Sequence, residues 1–128
     1  MTIEKENFLR TRLVPCIQQI NPAAQPAWGK MNLHQMVEHL VAVVKLANGR
    51  LKIEVVTPAD KLHLYRDFML SDKPFRENTK SPVLPEEPLP LYTNTLQGAI
   101  GRLQEELILF FVVFDKDPQL KTTHPVFG

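Results

Sequence analysis

The sequence predicts an all-α fold, and three observations support that prediction. Apolar residues recur at spacings of three and four along most of the chain, whereas two-residue alternation is confined to residues 51–55. Polar capping residues stand where several of these stretches begin. Five of the eleven prolines lie between residues 74 and 90, in a segment that can form neither a helix nor a central strand. We therefore expect helices packed as a bundle.

The composition fits one soluble domain that covers residues 1–128. Fifteen basic and fourteen acidic residues give a net charge of +1, which argues against a strongly basic nucleic-acid-binding protein. The single cysteine excludes an internal disulfide framework, and no apolar run approaches the roughly 20 residues that a membrane span needs. The N-terminus carries acids where a signal peptide would be basic. We expect a cytoplasmic protein with no nucleic-acid or membrane partner.

The first predicted helix runs from Ile3 to Ile20. Pro15 lies inside it and should bend it, because proline lacks the backbone donor and clashes with the preceding turn. The apolar stripe of this helix includes Cys16, so that thiol is expected in the core rather than at a reactive site.

The second predicted helix has the clearest signals. Asn32 is a suitable N-cap, Gln35 can complete a capping box, and Asn48-Gly49 supplies a left-handed stop. Trp28, just ahead of this helix, is expected to be a mostly buried anchor. The apolar residues at helical spacing are Leu33, Met36, Val37, Leu40, Val44 and Ala47. His39 is expected at the edge of their buried face.

Two more helices are predicted after residue 56, with a Pro-rich loop at residues 71–93 between them. Thr57 as N-cap and Pro58 as the first helical residue should begin a short helix. The last predicted helix runs from Asn94 to Phe114. The core between the second and fourth helices should contain Leu40, Val44, Leu103, Leu107 and Phe110.

The four histidines do not form a metal-binding pattern by themselves. His34 and His39 are five residues apart, about 140° around a regular helix, so they cannot share one metal there. His34 and His63 are expected on the surface, and His124 is expected in the final loop. By pattern alone, His39 is interpreted as a partly buried histidine whose polar atoms are satisfied.

The remaining polar clusters have ordinary interpretations. Glu105 and Glu106 point about 100° apart on a helix, which predicts solvated surface rather than a catalytic pair. Three basic residues near the Pro-rich loop form either a solvated surface or an anion site. They are Lys73, Arg76 and Lys80.

Three segments resemble the DinB superfamily, in particular a bacterial branch that is still called a domain of unknown function. Residues 28–40 read WGKMNLHQMVEHL and contain the W-G-K-M and Q-M-x-x-H-L elements of that branch. Residues 68–75, FMLSDKPF, and residues 124–128, HPVFG, also resemble it. The similarity extends from about residue 8 to the end of the chain.

The resemblance implies a DinB-like four-helix bundle with an up-down-down-up arrangement and a divalent metal, Zn, Ni or Fe, held by three histidines. The matching position on the second helix is His39. The other two ligands of the family lie on a final helix with an H-x-x-x-H or H-x-x-H-H pattern, and this sequence ends at HPVFG without one. We therefore expect either a domain that is incomplete at its C-terminus or a member without the metal site.

The implied function is that of a metal-dependent enzyme of the thiol S-transferase or hydrolase kind, acting with a small-molecule or thiol ligand. The alternative is a non-catalytic helical binding or accessory domain, because similar domains are fused to enzymes of phenylacetate and acyl-CoA metabolism. A bundle without its final helix would expose apolar faces, so we also expect a two-fold homodimer in which His39 can face its symmetry mate.

Overall fold

The computed structural model describes all 128 residues and contains four helices and no β-strand, which confirms the all-α prediction. Helix α1 spans residues 3–18 in three contiguous segments, helix α2 is Leu33–Ala47, helix α3 is Leu62–Leu70 and helix α4 is Leu96–Lys116. None of these helices is both long and apolar enough to cross a membrane.

Helix α1 accommodates Pro15 through one widened turn and is not interrupted by it. Its α-helical segments Ile3–Asn7 and Leu13–Gln18 flank a π-helical turn, Phe8–Arg12. In a regular helix the ring of Pro15 would meet the carbonyl of Thr11, which would have no N–H partner. The wider turn pairs the Leu13 N–H with the Phe8 carbonyl, so the predicted bend takes the form of a π-helix just before the proline.

Helices α2 and α4 form the main packed pair of the molecule. Asn32 caps α2 through the predicted capping box with Gln35, and Gly49 has the left-handed φ of 82° that the stop signal requires. The core that they share with α1 consists of Ile17, Leu33, Val37, Val41, Ala99, Ile100, Leu103 and Leu107. The predicted core residues Leu103 and Leu107 are buried, and Leu40 and Val44 pack against this cluster. The prediction is wrong for Phe110, which is only partly buried and lies outside the cluster.

Helix α3 begins later than predicted and packs against none of the other three helices. A 3₁₀ turn, Ala59–Lys61, precedes it, so Pro58 is not its first residue. The Thr57 hydroxyl does not cap the helix but donates to the Val126 carbonyl at 2.7 Å. Helix α3 is therefore held mainly through the end of the chain and not through a helix–helix interface.

Two residues expected to be buried lie at the surface, Trp28 and Cys16. Trp28 is 47% exposed in the turn region that joins α1 to α2, so the prediction of a mostly buried anchor is wrong. The capping box already begins α2 without it. Cys16 is also exposed, because the packed face of α1 passes through Ile17 instead. The Pro-rich loop contains no helix or strand, as predicted.

Candidate functional site

The metal-ligand candidate His39 lies on α2 and is half-buried. Its ring has no hydrogen bond or ion pair, unlike the rings of His34 and His124. Burial lowers the pKa of His39 below its usual value, because the charged imidazolium loses solvation. The ring is therefore neutral at neutral pH and keeps a free lone pair, which is the form that binds a metal.

His39 lies farther from the core than its predicted position at the edge of the buried face. At about 100° per residue, it is about 160° from Val37, which is fully buried. Met36, the apolar residue about 60° from His39, is only partly buried. His39 thus lies on the side of α2 opposite the buried Val37, together with the exposed Val43.

His34 does not lie on the open surface as predicted, because it belongs to a part-buried polar cluster. Its Nε2 atom is 2.6 Å from the Thr93 hydroxyl and 3.4 Å from a carboxylate oxygen of Glu38. The Thr93 hydroxyl donates its only proton to Glu38, so it must accept a hydrogen bond from His34. This pattern assigns a proton to Nε2 of His34.

Glu38 is the buried centre of the cluster, with only 7% of its surface exposed. It accepts from the Tyr92 and Thr93 backbone N–H groups, the latter at 2.9 Å, and from the Thr93 hydroxyl. Burial alone would raise the pKa of Glu38, but these donors and His34 together lower it below its usual value. Burial, together with the charge of Glu38, raises the pKa of Tyr92 above its usual value. These hydrogen bonds connect α2 to residues 92–93, which precede α4.

Glu106 is a second buried carboxylate, which corrects the prediction that both acids at positions 105 and 106 are solvated. Only 4% of Glu106 is exposed, whereas Glu105 lies on the surface. The Glu106 carboxylate accepts from Asn48 Nδ2 at 2.9 Å and from Arg50 Nη1 at 2.6 Å. Both donors follow the end of α2, so Glu106 joins that end to the middle of α4. Each of its two oxygens accepts one hydrogen bond.

The side chains of this chain form no metal site by themselves. No group of three His, Cys, Asp or Glu residues is arranged to hold an ion. His34 is engaged with Thr93 and Glu38, and His63 is exposed on α3. His39 is consequently a single candidate ligand, and any site that uses it needs ligands from elsewhere.

The surface also carries one groove and one set of exposed basic residues. A groove of about 470 Å³ runs between α1 and α4, with an Arg10 guanidinium 3.8 Å from the centre of the Phe111 ring and 3.2 Å from Asp115. The π-helical turn lines it, and no sequence signal other than Pro15 pointed to it. The three basic residues of the Pro-rich loop are all exposed, and Lys80 pairs with Glu86 at 2.6 Å.

Comparison with models of protein families, with curated proteins and with solved structures finds no match for this chain.

Proposed function

We propose that this chain is a DinB-like helical domain, arranged up-down-down-up, that contributes His39 as one ligand of a divalent-metal site. The observation that supports the proposal is the state of that side chain. It is half-buried, has no partner within the chain and is kept neutral by burial. A histidine that served only to stabilise the helix would gain from a hydrogen bond to one of its ring nitrogens, as His34 and His124 do.

The reaction class that fits is thiol S-transfer or hydrolysis with Zn, Ni or Fe. A bound divalent ion lowers the pKa of a thiol or water ligand and so supplies a nucleophile near neutral pH. The contribution of this chain is the neutral imidazole of His39 on a firmly capped helix. We propose that a second copy of this chain supplies a further ligand, since no three ligands converge within one copy.

A second candidate function is a non-catalytic helical binding or accessory domain, linked to acyl-CoA metabolism as the resemblance implies. One observation favours it: both buried carboxylates, Glu38 and Glu106, are fully engaged in joining helices. Neither is available as a general base within the folded chain. A domain of this kind would use its exposed apolar surface and not a metal.

Titration calorimetry with Zn²⁺, Ni²⁺ and Fe²⁺ separates the two candidates. We expect the wild-type chain to bind at least one of these ions, with an affinity at least about tenfold weaker in His39→Ala. The matched control is His63→Ala, which removes an exposed histidine from α3. Absence of binding, or equal binding by His39→Ala, contradicts the metal proposal and leaves the accessory-domain candidate.

A further inference from the structure

The end of the chain forms a tight turn, here called the C-terminal turn, that comprises residues 124–128. The Gly128 N–H donates to the His124 carbonyl at 2.8 Å and the His124 N–H donates to the Gly128 carbonyl at 3.4 Å. Pro125, inside the turn, is among the most deeply buried residues of the molecule. A turn that buries its proline is part of the folded body and not a frayed end.

Three successive carbonyls of this turn accept hydrogen bonds from other parts of the chain. The Pro125 carbonyl accepts from the Val56 N–H at 2.7 Å. The Val126 carbonyl accepts from the Thr57 hydroxyl, and the Phe127 carbonyl accepts from Arg66 Nε, both at 2.7 Å. Helix α3 touches no other helix. The bond of Arg66 is its one hydrogen bond to a distant part of the chain.

The imidazole of His124 stabilises the turn by accepting hydrogen bonds from two of its backbone N–H groups. Its Nδ1 atom accepts from the backbone N–H groups of Val126, at 3.0 Å, and Phe127, at 3.4 Å. An atom that accepts two N–H groups carries no proton, so His124 is neutral with its proton on Nε2. This arrangement is the one that asparagine and aspartate side chains form in Asx turns.

We propose that His124 makes the C-terminal turn a pH-sensitive latch, which holds α3 and residues 56–57 on the body when the imidazole is neutral and releases them when Nδ1 is protonated. A proton on Nδ1 removes the acceptor and places an N–H against two N–H groups. The turn then no longer holds the carbonyls of residues 125–127 in position to accept hydrogen bonds. Helix α3 consequently loses the bond from Arg66 to the Phe127 carbonyl.

The surroundings of His124 favour the neutral ring. Arg66 of α3 is the charged side chain bonded to the turn, and its positive charge disfavours a second one nearby. Residues 56–57 present a backbone N–H and a hydroxyl, and the ring of Phe127 lies 4.7 Å from the imidazole. At the end of α2 the Ala47 carbonyl accepts from the Thr122 hydroxyl, and within the turn the Gly128 oxygen accepts from the backbone N–H of His124. No side-chain carboxylate contributes to the pKa shift of His124. Burial lowers the pKa of His124 accordingly.

The sign of the pH effect follows from this direction. The folded pKa lies below the unfolded value of about 6.5, so acidification protonates the unfolded or open turn first. The closed turn is fully favoured above that value and is lost as the pH falls through the folded pKa. We expect release of the latch in mildly acidic solution, while α2 and α4 stay packed.

Amide hydrogen exchange from pH 7.5 to 5.0, corrected for the intrinsic rates, tests the latch. In the wild-type chain, protection at Val56, Val126 and Phe127 should fall at least about tenfold more than protection in the middle of α4. The variant His124→Asn places an amide oxygen where Nδ1 stands and cannot titrate. Its protection at the same amides should change no more than that of α4. An equal loss in this variant, or no selective loss in the wild type, overturns the proposal.

A second measurement does not depend on any variant. Nitrogen-detected NMR of the His124 ring at pH 7.5 should show an unprotonated Nδ1 and a protonated Nε2. A proton on Nδ1 at that pH would overturn the proposal, because the ring could not then accept from Val126 and Phe127.

Discussion

Adjacent residues in α4 have opposite environments, and Glu105 and Glu106 are the clearest case. The substitution Glu106→Gln removes the charge that Asn48 and Arg50 share, so we expect a loss of about 1–2 kcal/mol in the free energy of unfolding. The loss stays moderate because the Arg50 side chain is half-exposed and solvent screens its pairing.

The matched control is Glu105→Gln, which alters the exposed neighbour and should change the free energy of unfolding by less than about 0.5 kcal/mol. Urea denaturation of both variants at pH 7 gives the comparison. Equal effects of the two substitutions would contradict the burial assigned to Glu106.

The Thr93 hydroxyl stands between His34 and Glu38 and is the residue on which their contact depends. Thr93→Val keeps the shape of the side chain but leaves His34 Nε2–H and Glu38 each without one partner. We expect a loss of about 1–3 kcal/mol in thermal or urea denaturation. Thr123→Val, at an exposed position, should be close to neutral.

The sequence could not show these polar partners, for a physical reason. Glu38 and Thr93 are 55 residues apart and Asn48 and Glu106 are 58 residues apart, so only the packing of α2 on α4 brings them together. Helical periodicity describes one element at a time and contains no such information. A histidine and two glutamates that appear solvated on their own helices become buried once the other helix is in place.

At the scale of elements, α2 and α4 were predictable because caps and apolar spacing act within each helix. Asn32 and Gly49 hold the positions that the sequence assigned to them. The beginning of α3 was not predictable in this way, because Thr57 is engaged by a distant carbonyl instead of its own helix. Helix α3 is held by the Arg66 bond to the C-terminal turn and by its Phe68 ring, which packs edge-on against Phe75 of the Pro-rich loop, and not by another helix.

The interface of α2 and α4 should respond strongly to lost volume. Leu107 is 6% exposed, so Leu107→Ala should cost about 2–5 kcal/mol through lost burial and a residual cavity. The neighbouring Ile108 is 58% exposed, and Ile108→Ala should cost under about 1 kcal/mol. Chemical denaturation measures both, and a loss below about 0.5 kcal/mol for Leu107→Ala would mean that the packed face of α4 is misassigned.

Replacing Pro15 should convert the π-helical turn of α1 into a regular α-helical turn. Pro15→Ala restores a backbone N–H for the Thr11 carbonyl, so we expect about 1 kcal/mol of added stability and a small gain in helical circular dichroism. In the connection after α1, Pro22→Ala should instead lower stability slightly, because it only frees the unfolded chain. The same sign for both substitutions would contradict this account of the bend.

At the scale of the whole molecule, the surface is large for the mass. A folded monomer of 14.7 kDa is expected to expose about 6,900 Å², whereas this chain exposes 9593 Å². Only 13 of its 128 residues are buried. The excess is more than the roughly 800 Å² that each partner contributes to a standard interface, so association can cover much of it.

We therefore expect a two-fold homodimer at micromolar concentration, with His39 near the interface. Sedimentation velocity over a range of concentrations measures the assembly. The substitution Val43→Lys, on the same side of α2 as His39, should shift the equilibrium toward monomer, whereas Leu64→Lys on α3 should not. A stable monomer that binds no hydrophobic dye would contradict the expectation.

Trp28 affects how the unfolding of this protein can be observed. It is the only tryptophan in the chain, and it is half-exposed in the connection between α1 and α2, outside the core. Its emission will therefore start from a red-shifted, partly hydrated position and change little when the helices separate. A fluorescence melting curve would follow the local hydration of that connection, and circular dichroism at 222 nm is needed to follow the helices themselves. Moving the indole to a buried position, for example by Phe111→Trp in a Trp28→Phe background, would give an optical reporter of the core.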